Sequence, residues 1–253
     1  MKKTALLLSL SCAILSSAAQ ADTLLGLYLG ADGWRTSVDG SFANTDQLQA
    51  FNFDDKTQTS YYVALEHPLP LIPNIRIQRN KLESSGSTLL GDDFSFDGSV
   101  FTNGTQVQNQ TDITSTDYVL YYEVLDNELF SVDLGINGKY LDGSIAESEA
   151  AIADGIAVQH DFSQWVPMLY GAVRVGLPLT GFDVFAQGSF VSYDGSQLYD
   201  AQAGIAYALL DNLAVDMTLK LGYRQVDLQL DDVDNVYTDL SFKGLFAGVE
   251  VHF

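Results

Sequence analysis

The chain has 253 residues, with 12 Lys and Arg against 33 Asp and Glu and a formal charge of −21. Such a balance disfavours nucleic acid and anionic lipid as partners, because like charge repels before contact forms. The length suits one domain, and the acidity belongs in solvated loops with divalent cations as counterions.

At the N-terminus, Lys2 and Lys3 precede an apolar run from Ala5 to Leu15 and a small-residue stretch ending Ala19-Gln20-Ala21. This is the layout of a secretory signal, so residues 1–21 are read as a signal peptide cleaved after Ala21 and residues 22–253 as the mature domain. The run is too short to span a bilayer. Cys12, the single cysteine, lies inside the signal, and Ser9-Leu10-Ser11 before it lacks the upstream leucine of a lipoprotein signal. The mature chain therefore has no thiol for a disulfide, a nucleophile or a metal. Without Lys2 and Lys3 the 12 basic residues become 10, still against 33 acidic ones.

Past the signal no run approaches 18 consecutive apolar residues, which excludes helical spans. What remains is alternation. Leu25, Leu27, Leu29 and Ala31 share one face and Gly26, Tyr28, Gly30 and Asp32 the other, the period of a strand. The rule recurs at Tyr61/Val63/Leu65, Ile75/Ile77, Tyr118/Leu120/Tyr122/Val124, Phe130/Val132/Leu134/Ile136/Tyr140 and Leu169/Val173/Val175/Leu177. It continues at Phe182/Val184/Ala186/Phe190, Tyr199/Ala201/Ala203/Ile205/Tyr207, Leu213/Val215/Met217/Leu219/Leu221/Tyr223 and Leu245/Ala247/Val249/Val251/Phe253. About ten strands follow, an even number as an up-and-down antiparallel barrel requires.

The connections alternate in length. Short ones fall at His67 to Pro73, Asp126-Asn127, Pro178 to Gly181 and Asp211-Asn212, rich in turn formers. Longer polar segments run from Ser37 to Lys56, Glu83 to Asp112, Gly143 to Gln164, Tyr193 to Gln197 and Gln229 to Asn235. Short periplasmic turns and long extracellular loops are the expectation for a transmembrane barrel.

A soluble lipocalin-like barrel would alternate too, with its apolar face inside. The aromatic positions separate the two. Phe130, Phe182, Tyr207 and Phe253 fall near the short turns, and Tyr61, Tyr118, Tyr140, Phe190, Tyr199 and Tyr223 near the long loops. At ~3.3 Å per residue and a tilt of about 40°, these belts stand roughly 20 to 25 Å apart, the height of an outer-membrane apolar band. Phe253, with Val251 and Val249 at alternate positions behind it, resembles the recognition signal of the outer-membrane assembly machinery. The chain is thus expected in the outer membrane of a Gram-negative bacterium, among lipid and lipopolysaccharide.

The complementary face carries Asp32, Glu66, Glu123, Asp133, Asp183, Asp200, Asp216 and Glu250 with Arg76, Lys139, Arg174, Lys220 and Arg224. Both signs converging on a narrow interior should pair, because a lone buried charge is costly, and a side-chain-filled lumen is expected. Trp34 does not fit the apolar register of the first strand, so a bulge is expected at Gly30 or Gly33. Val226, Leu228 and Leu230 slip likewise against Tyr223, which places a second bulge near Gln225.

Chemistry-bearing motifs are sparse. His67 and His252 sit at the short-turn rim, whereas His160 beside Asp161 lies in a long segment where an omptin-like protease would carry its acid/base pair. No further omptin pattern accompanies it. Ser163 near His160 is the candidate for a lipid-modifying hydrolase, at a spacing that fixes no geometry. Asp231, Asp232 and Asp234 cluster as hard-cation ligands do but lack the glycine and bidentate glutamate of an EF-hand, and Asp92, Asp93 and Asp97 are solvated acids by the same standard. No metal site, cofactor or catalytic residue is assigned.

Several strings resemble, together, an uncharacterised family of outer-membrane β-barrel proteins associated with the GlyGly-CTERM sorting system. They are Gly26-Leu27-Tyr28-Leu29-Gly30-Ala31 with Trp34; Tyr121 through Asn127; Asp133-Leu134-Gly135 leading to Tyr140 through Gly143; Leu177 through Gly181; Gly222-Tyr223-Arg224; and Gly244 through Phe253. The resemblance implies a location and a barrel and no activity, and it puts Glu123 and Arg224 in the lumen network. The expected function is a non-enzymatic envelope or surface-interaction protein. A narrow, porin-like channel or solute-uptake barrel is the alternative.

Overall fold

The computed structural model describes residues 25–43, 47–127, 129–150, 155–212, 215–233 and 236–253. The signal peptide with Cys12, Leu213, Asp234 and the side chain of Asp232 lie outside the described residues. The strands are β1 (Gly26–Ala43), β2 (Gln49–Ala50), β3 (Asn52–Phe53), β4 (Lys56–Glu66), β5 (Asn74–Leu89), β6 (Phe94–Phe96) and β7 (Ser99–Phe101). They continue as β8 (Gln106–Asp126), β9 (Phe130–Glu149), β10 (Ala157–Leu177), β11 (Phe182–Tyr193), β12 (Ser196–Leu210), β13 (Asp216–Val233) and β14 (Val236–His252).

Among the described residues ten long strands, all but β2, β3, β6 and β7, pair antiparallel in chain order, and β14 returns to β1. The seam runs without a break from Tyr28↔His252 to Ala43↔Tyr237. Phe253 N donates to Leu27 O at 3.0 Å and Leu27 N to Phe253 O at 3.3 Å, so the last residue completes the closure. A closed barrel leaves no edge of unpaired amides, the condition for a sheet to sit in hydrocarbon.

The expected long loops are mostly strand. β1 runs to Ala43, β5 to Leu89 and β9 to Glu149, and β8 and β10 begin at Gln106 and Ala157. Tyr193 to Gln197 contains only a tight hairpin, with Asp194 and Gly195 at φ of 48° and 82°, the left-handed pair that a two-residue hairpin turn needs. The wall therefore continues well past the aromatic belt at the loop end.

Both expected bulges are absent. Register is unbroken through Trp34, which faces Gln58 on one side and Phe246 on the other, and through Gln225, which faces Ala201 and Lys243. The shifts that do occur lie between Glu123 and Leu125, between Ala208 and Leu210, and between Leu230 and Val233. Trp34 and Val226 keep the inward phase of their strands, and what changes is the solvent. Near the turns, Leu29, Ile77, Leu134 and Leu221 are exposed on the outer wall and Asp32, Gln78, Asn137 and Lys220 are buried inside. Further along the same strands the outward residues become Arg35, Lys81, Asp142 and Asp227, and the inward ones Trp34, Leu82, Leu141 and Val226. Where the outer wall leaves lipid for water, apolar side chains gain by turning inward, as in a soluble barrel.

The upper interior holds an apolar layer of Trp34, Val38, Leu82, Ile113, Leu141, Met168, Val226, Leu240, Phe242 and Phe246, all buried. Gly222 gives it room. A Cβ there would lie 2.3 Å from the Ala203 carbonyl oxygen and 2.7 Å from the Phe246 ring. Above it, the β6–β7 hairpin, which pairs with no barrel strand, docks Phe94, Phe96 and Phe101 against Phe42, Phe51, Leu90 and Ile145. The Phe42 and Phe51 rings stack at 4.8 Å, and Phe96 meets Phe42 edge-on at 5.6 Å.

Candidate functional site

Inward alternation on β8, β9, β12 and β13 brings four charges to the middle of the bore. Lys139 Nζ lies 2.8 Å from Asp117 and 2.9 Å from Asp200, and Arg224 binds Asp200 through Nε at 3.0 Å and Nη2 at 2.9 Å. Asn80 Nδ2 donates to Asp117 at 2.8 Å and its amide oxygen accepts from Arg224 Nη1 at 3.0 Å, while Asn137 bridges Asp117 at 2.7 Å and Ser189 at 3.1 Å. Two cations meet two carboxylates, and amide groups take up further lone pairs, which makes burial of the set tolerable. The gap left beside it is about 30 Å³, space for about one water.

A second group lies nearer the turns. Lys220 Nζ stands 3.4 Å from Asp32, 3.9 Å from Glu250 and 2.9 Å from the Tyr62 hydroxyl, which also meets Glu250. Arg174 reaches Glu250 at 3.3 Å. Arg76 lies 3.6 Å over the Tyr62 ring and donates to Gln78 at 2.9 Å, and among the described residues its Nε has no partner.

Below this group the barrel opens at the turn end into a cavity of about 630 Å³. Seven carboxylates line it, Glu66, Glu123, Asp126, Asp133, Asp183, Asp216 and Glu250, against Arg76, Arg174 and Lys220. Glu66 accepts from the Tyr121 hydroxyl at 2.7 Å, and Asp216 lies 3.3 Å from His252, whose ring stacks on Tyr28 at 4.2 Å.

The inward charges expected from sequence thus divide in two. Asp32, Lys139, Arg174, Asp200, Lys220, Arg224 and Glu250 are in ion pairs with one another or with Asp117, and Arg76 is in a cation–π contact, whereas Glu66, Glu123, Asp133, Asp183 and the His252 neighbour Asp216 face the cavity. Sequence reasoning left out Asp117, Asn80, Gln78 and Tyr62, though each shares the inward parity of its strand. On the outer wall, Tyr61, Tyr118, Phe190 and Tyr223 are exposed toward the loop end and Phe130, Phe182, Tyr207 and Phe253 toward the turns, with Tyr140 and Tyr199 partly covered. Trp165 joins the upper belt, 5.5 Å from Tyr118 and 5.1 Å from Tyr140. Val249 and Val251 lie on β14 opposite Ala31 and Leu29 at the seam.

The His160 and Asp161 pair considered from sequence does not form, because adjacent residues of β10 point to opposite faces. Asp161 sits on the outer wall with Ser163, while His160 turns inward. Its Nδ1 lies 3.5 Å from Asp97 at the tip of the β6–β7 hairpin, and its ring meets Phe96 edge-on at 6.4 Å. Glu147, under the hairpin layer, accepts from Asn109 at 2.7 Å and among the described residues forms no ion pair, so burial pushes its carboxyl up to about 8. Asp93 accepts from the Asn103 amide at 2.8 Å, and Asp231 packs over Gly195. Among the described residues no three His, Cys, Asp or Glu side chains converge on one metal position.

No protein-family model matches the chain, and no curated protein matches it either. The outer membrane protease OmpT from Escherichia coli superposes with a TM-score of 0.50 at 11% identity, over 89% of this chain and 97% of that one. The translocator domain of autotransporter NalP from Neisseria meningitidis gives 0.45 at 12% identity, over 100% and 97% of the two chains. Neisserial surface protein A gives 0.28 at 14%, over 90% and 97%. At 11% identity the likeness to OmpT is one of fold: this chain folds as a closed antiparallel barrel of the outer-membrane kind.

Proposed function

We propose that the protein is a non-conducting, non-enzymatic barrel of the Gram-negative outer membrane. It is exported with cleavage near Ala21, keeps its short turns in the periplasm and presents its protruding wall outside the cell. The carrying observation is the stack across the bore, in which a paired charge layer, an apolar layer and a phenylalanine cap follow one another. An ion would have to shed its hydration shell to pass the apolar layer, a cost that paired side chains below do not repay.

On this reading the partners are outer-membrane lipid and lipopolysaccharide around the wall, and the assembly machinery that reads Val249, Val251 and Phe253 during insertion. The protruding wall carries Asp112, Asp142 and Asp161 in one strip beside Lys81, a charged surface suited to contacts outside the cell. The sequence strings quoted above support membership of the GlyGly-CTERM-associated barrel family. Planar-bilayer recording of the purified barrel tests the proposal: no unitary conductance is expected, and stable conductance steps would overturn it. The turn-end cavity favours a second reading, a narrow uptake barrel, which such steps would support.

A further inference from the structure

The turn-end cavity carries more carboxylates than cations. Glu123 and Asp133 are direct register partners across β8 and β9, both facing the cavity. Like charges placed opposite one another on a sheet are destabilising, and among the described residues neither forms an ion pair, the nearby Arg174 being bound to Glu250. Asp126 adds a third carboxylate at the same rim.

A second observation comes from the neighbouring strand β10, where Tyr170 stands opposite Gly135 of β9. Tyr170 is 8% exposed and lines the same cavity, and among the described residues no hydrogen bond reaches its hydroxyl. A tyrosine side chain buried to this degree ordinarily has a partner for its hydroxyl, and here the hydroxyl is left to the cavity. Its ring lies 5.9 Å from that of Tyr121, so the wall facing the occupant is aromatic as well as polar.

We infer that this cavity binds a small organic polyamine entering from the turn end. Ammonium groups fit between Glu123, Asp133 and Asp126, a methylene stem fits against the Tyr121 and Tyr170 rings, and the free hydroxyl accepts from a further amine. A metal ion fits less well, because the carboxylates do not converge on one point. The volume of about 630 Å³ is that of a small-molecule site.

The test is calorimetric titration of the full mature barrel, refolded in detergent and checked by heat-modifiable migration, with spermidine as probe and magnesium chloride in parallel. Saturable one-to-one binding of spermidine is expected, with a Kd under about 1 mM. Glu123→Gln with Asp133→Asn should weaken it at least tenfold, and Tyr170→Phe, which keeps the ring, about threefold. Asp112→Asn with Asp161→Asn on the outer wall should leave it unchanged. Absence of saturable binding to the wild-type barrel overturns the inference. So does an equal loss in the outer-wall variant, or magnesium competing at equal concentration, since either reduces the effect to general counterion attraction.

Discussion

Arg224 and Asp200, diagonal neighbours on β13 and β12, share two hydrogen bonds of 3.0 and 2.9 Å in the middle of the bore. Lys139 approaches the same carboxylate from β9 at 2.9 Å, and Arg224 also lies 5.0 Å over the Trp34 ring. One guanidinium thus ties the charged layer to the apolar layer above it.

Arg224→Met should therefore destabilise the barrel by about 3–5 kcal/mol, because it removes one side of a buried pair and leaves Asp200 with Lys139 alone. Equilibrium urea unfolding in lipid vesicles measures the loss. A change under about 1 kcal/mol, the range of an exposed pair, would mean that the site is solvated.

Trp34→Ala tests the apolar layer. Trp34 is 2% exposed and donates Nε1 to the Gly244 carbonyl at 3.2 Å. The truncation should cost about 3–5 kcal/mol through lost burial and the cavity left behind. Bilayer recordings of this variant should remain silent, since the charged layer and the phenylalanine cap still fill the bore.

Gly222→Ala should cost about 1–3 kcal/mol through crowding, because the new methyl meets a backbone carbonyl held in the β12–β13 ladder. The heat needed to change its gel migration should fall, and an unchanged transition would show that the wall yields there.

Glu147 sets a pH dependence at the loop end. Its carboxyl holds its proton up to about pH 8 in the fold, against 4.5 for the ordinary group. The folded state therefore binds the extra proton, and its advantage is full below pH 4.5 and erodes as pH rises toward 8, by up to about 1.4 kcal/mol per pH unit. Hydrogen-exchange protection factors of the 145–149 amides, which are corrected for the base-catalysed intrinsic rate, should fall across that window in the wild type. Glu147→Gln should flatten the profile, and an identical profile in the variant would refute the assignment.

Among the described residues the β6–β7 hairpin pairs with no barrel strand, and its docking includes phenylalanine packing and the His160 to Asp97 contact. Asp97→Ala should raise protease cutting between residues 92 and 103 modestly, in keeping with a partly exposed pair worth about 0–1 kcal/mol. Phe96→Ala should raise it far more. Equal effects from the two would show that the ion pair carries the docking.

Strand number, parity and closure were legible in the sequence because a strand's period of two is local and lipid marks one parity with Leu, Val and Ile from β1 to β14. The outward aromatics and most of the inward charges follow from the same parity. Trp34 and Val226 show where local reading fails. Their apolar side chains at inward positions looked like slips of register, yet the register holds and the surroundings change, from lipid outside the wall to water.

His160 shows the other limit. Its sequence neighbour Asp161 lies across the wall, and its partner Asp97 arrives from a hairpin 63 residues away. Parity is a property of the chain by itself, and it determined which side chains face in and which face out. Which inward carboxylates pair with a cation and which face the turn-end cavity depends on how ten strands bring distant residues to one height, and closure of the barrel alone decided that.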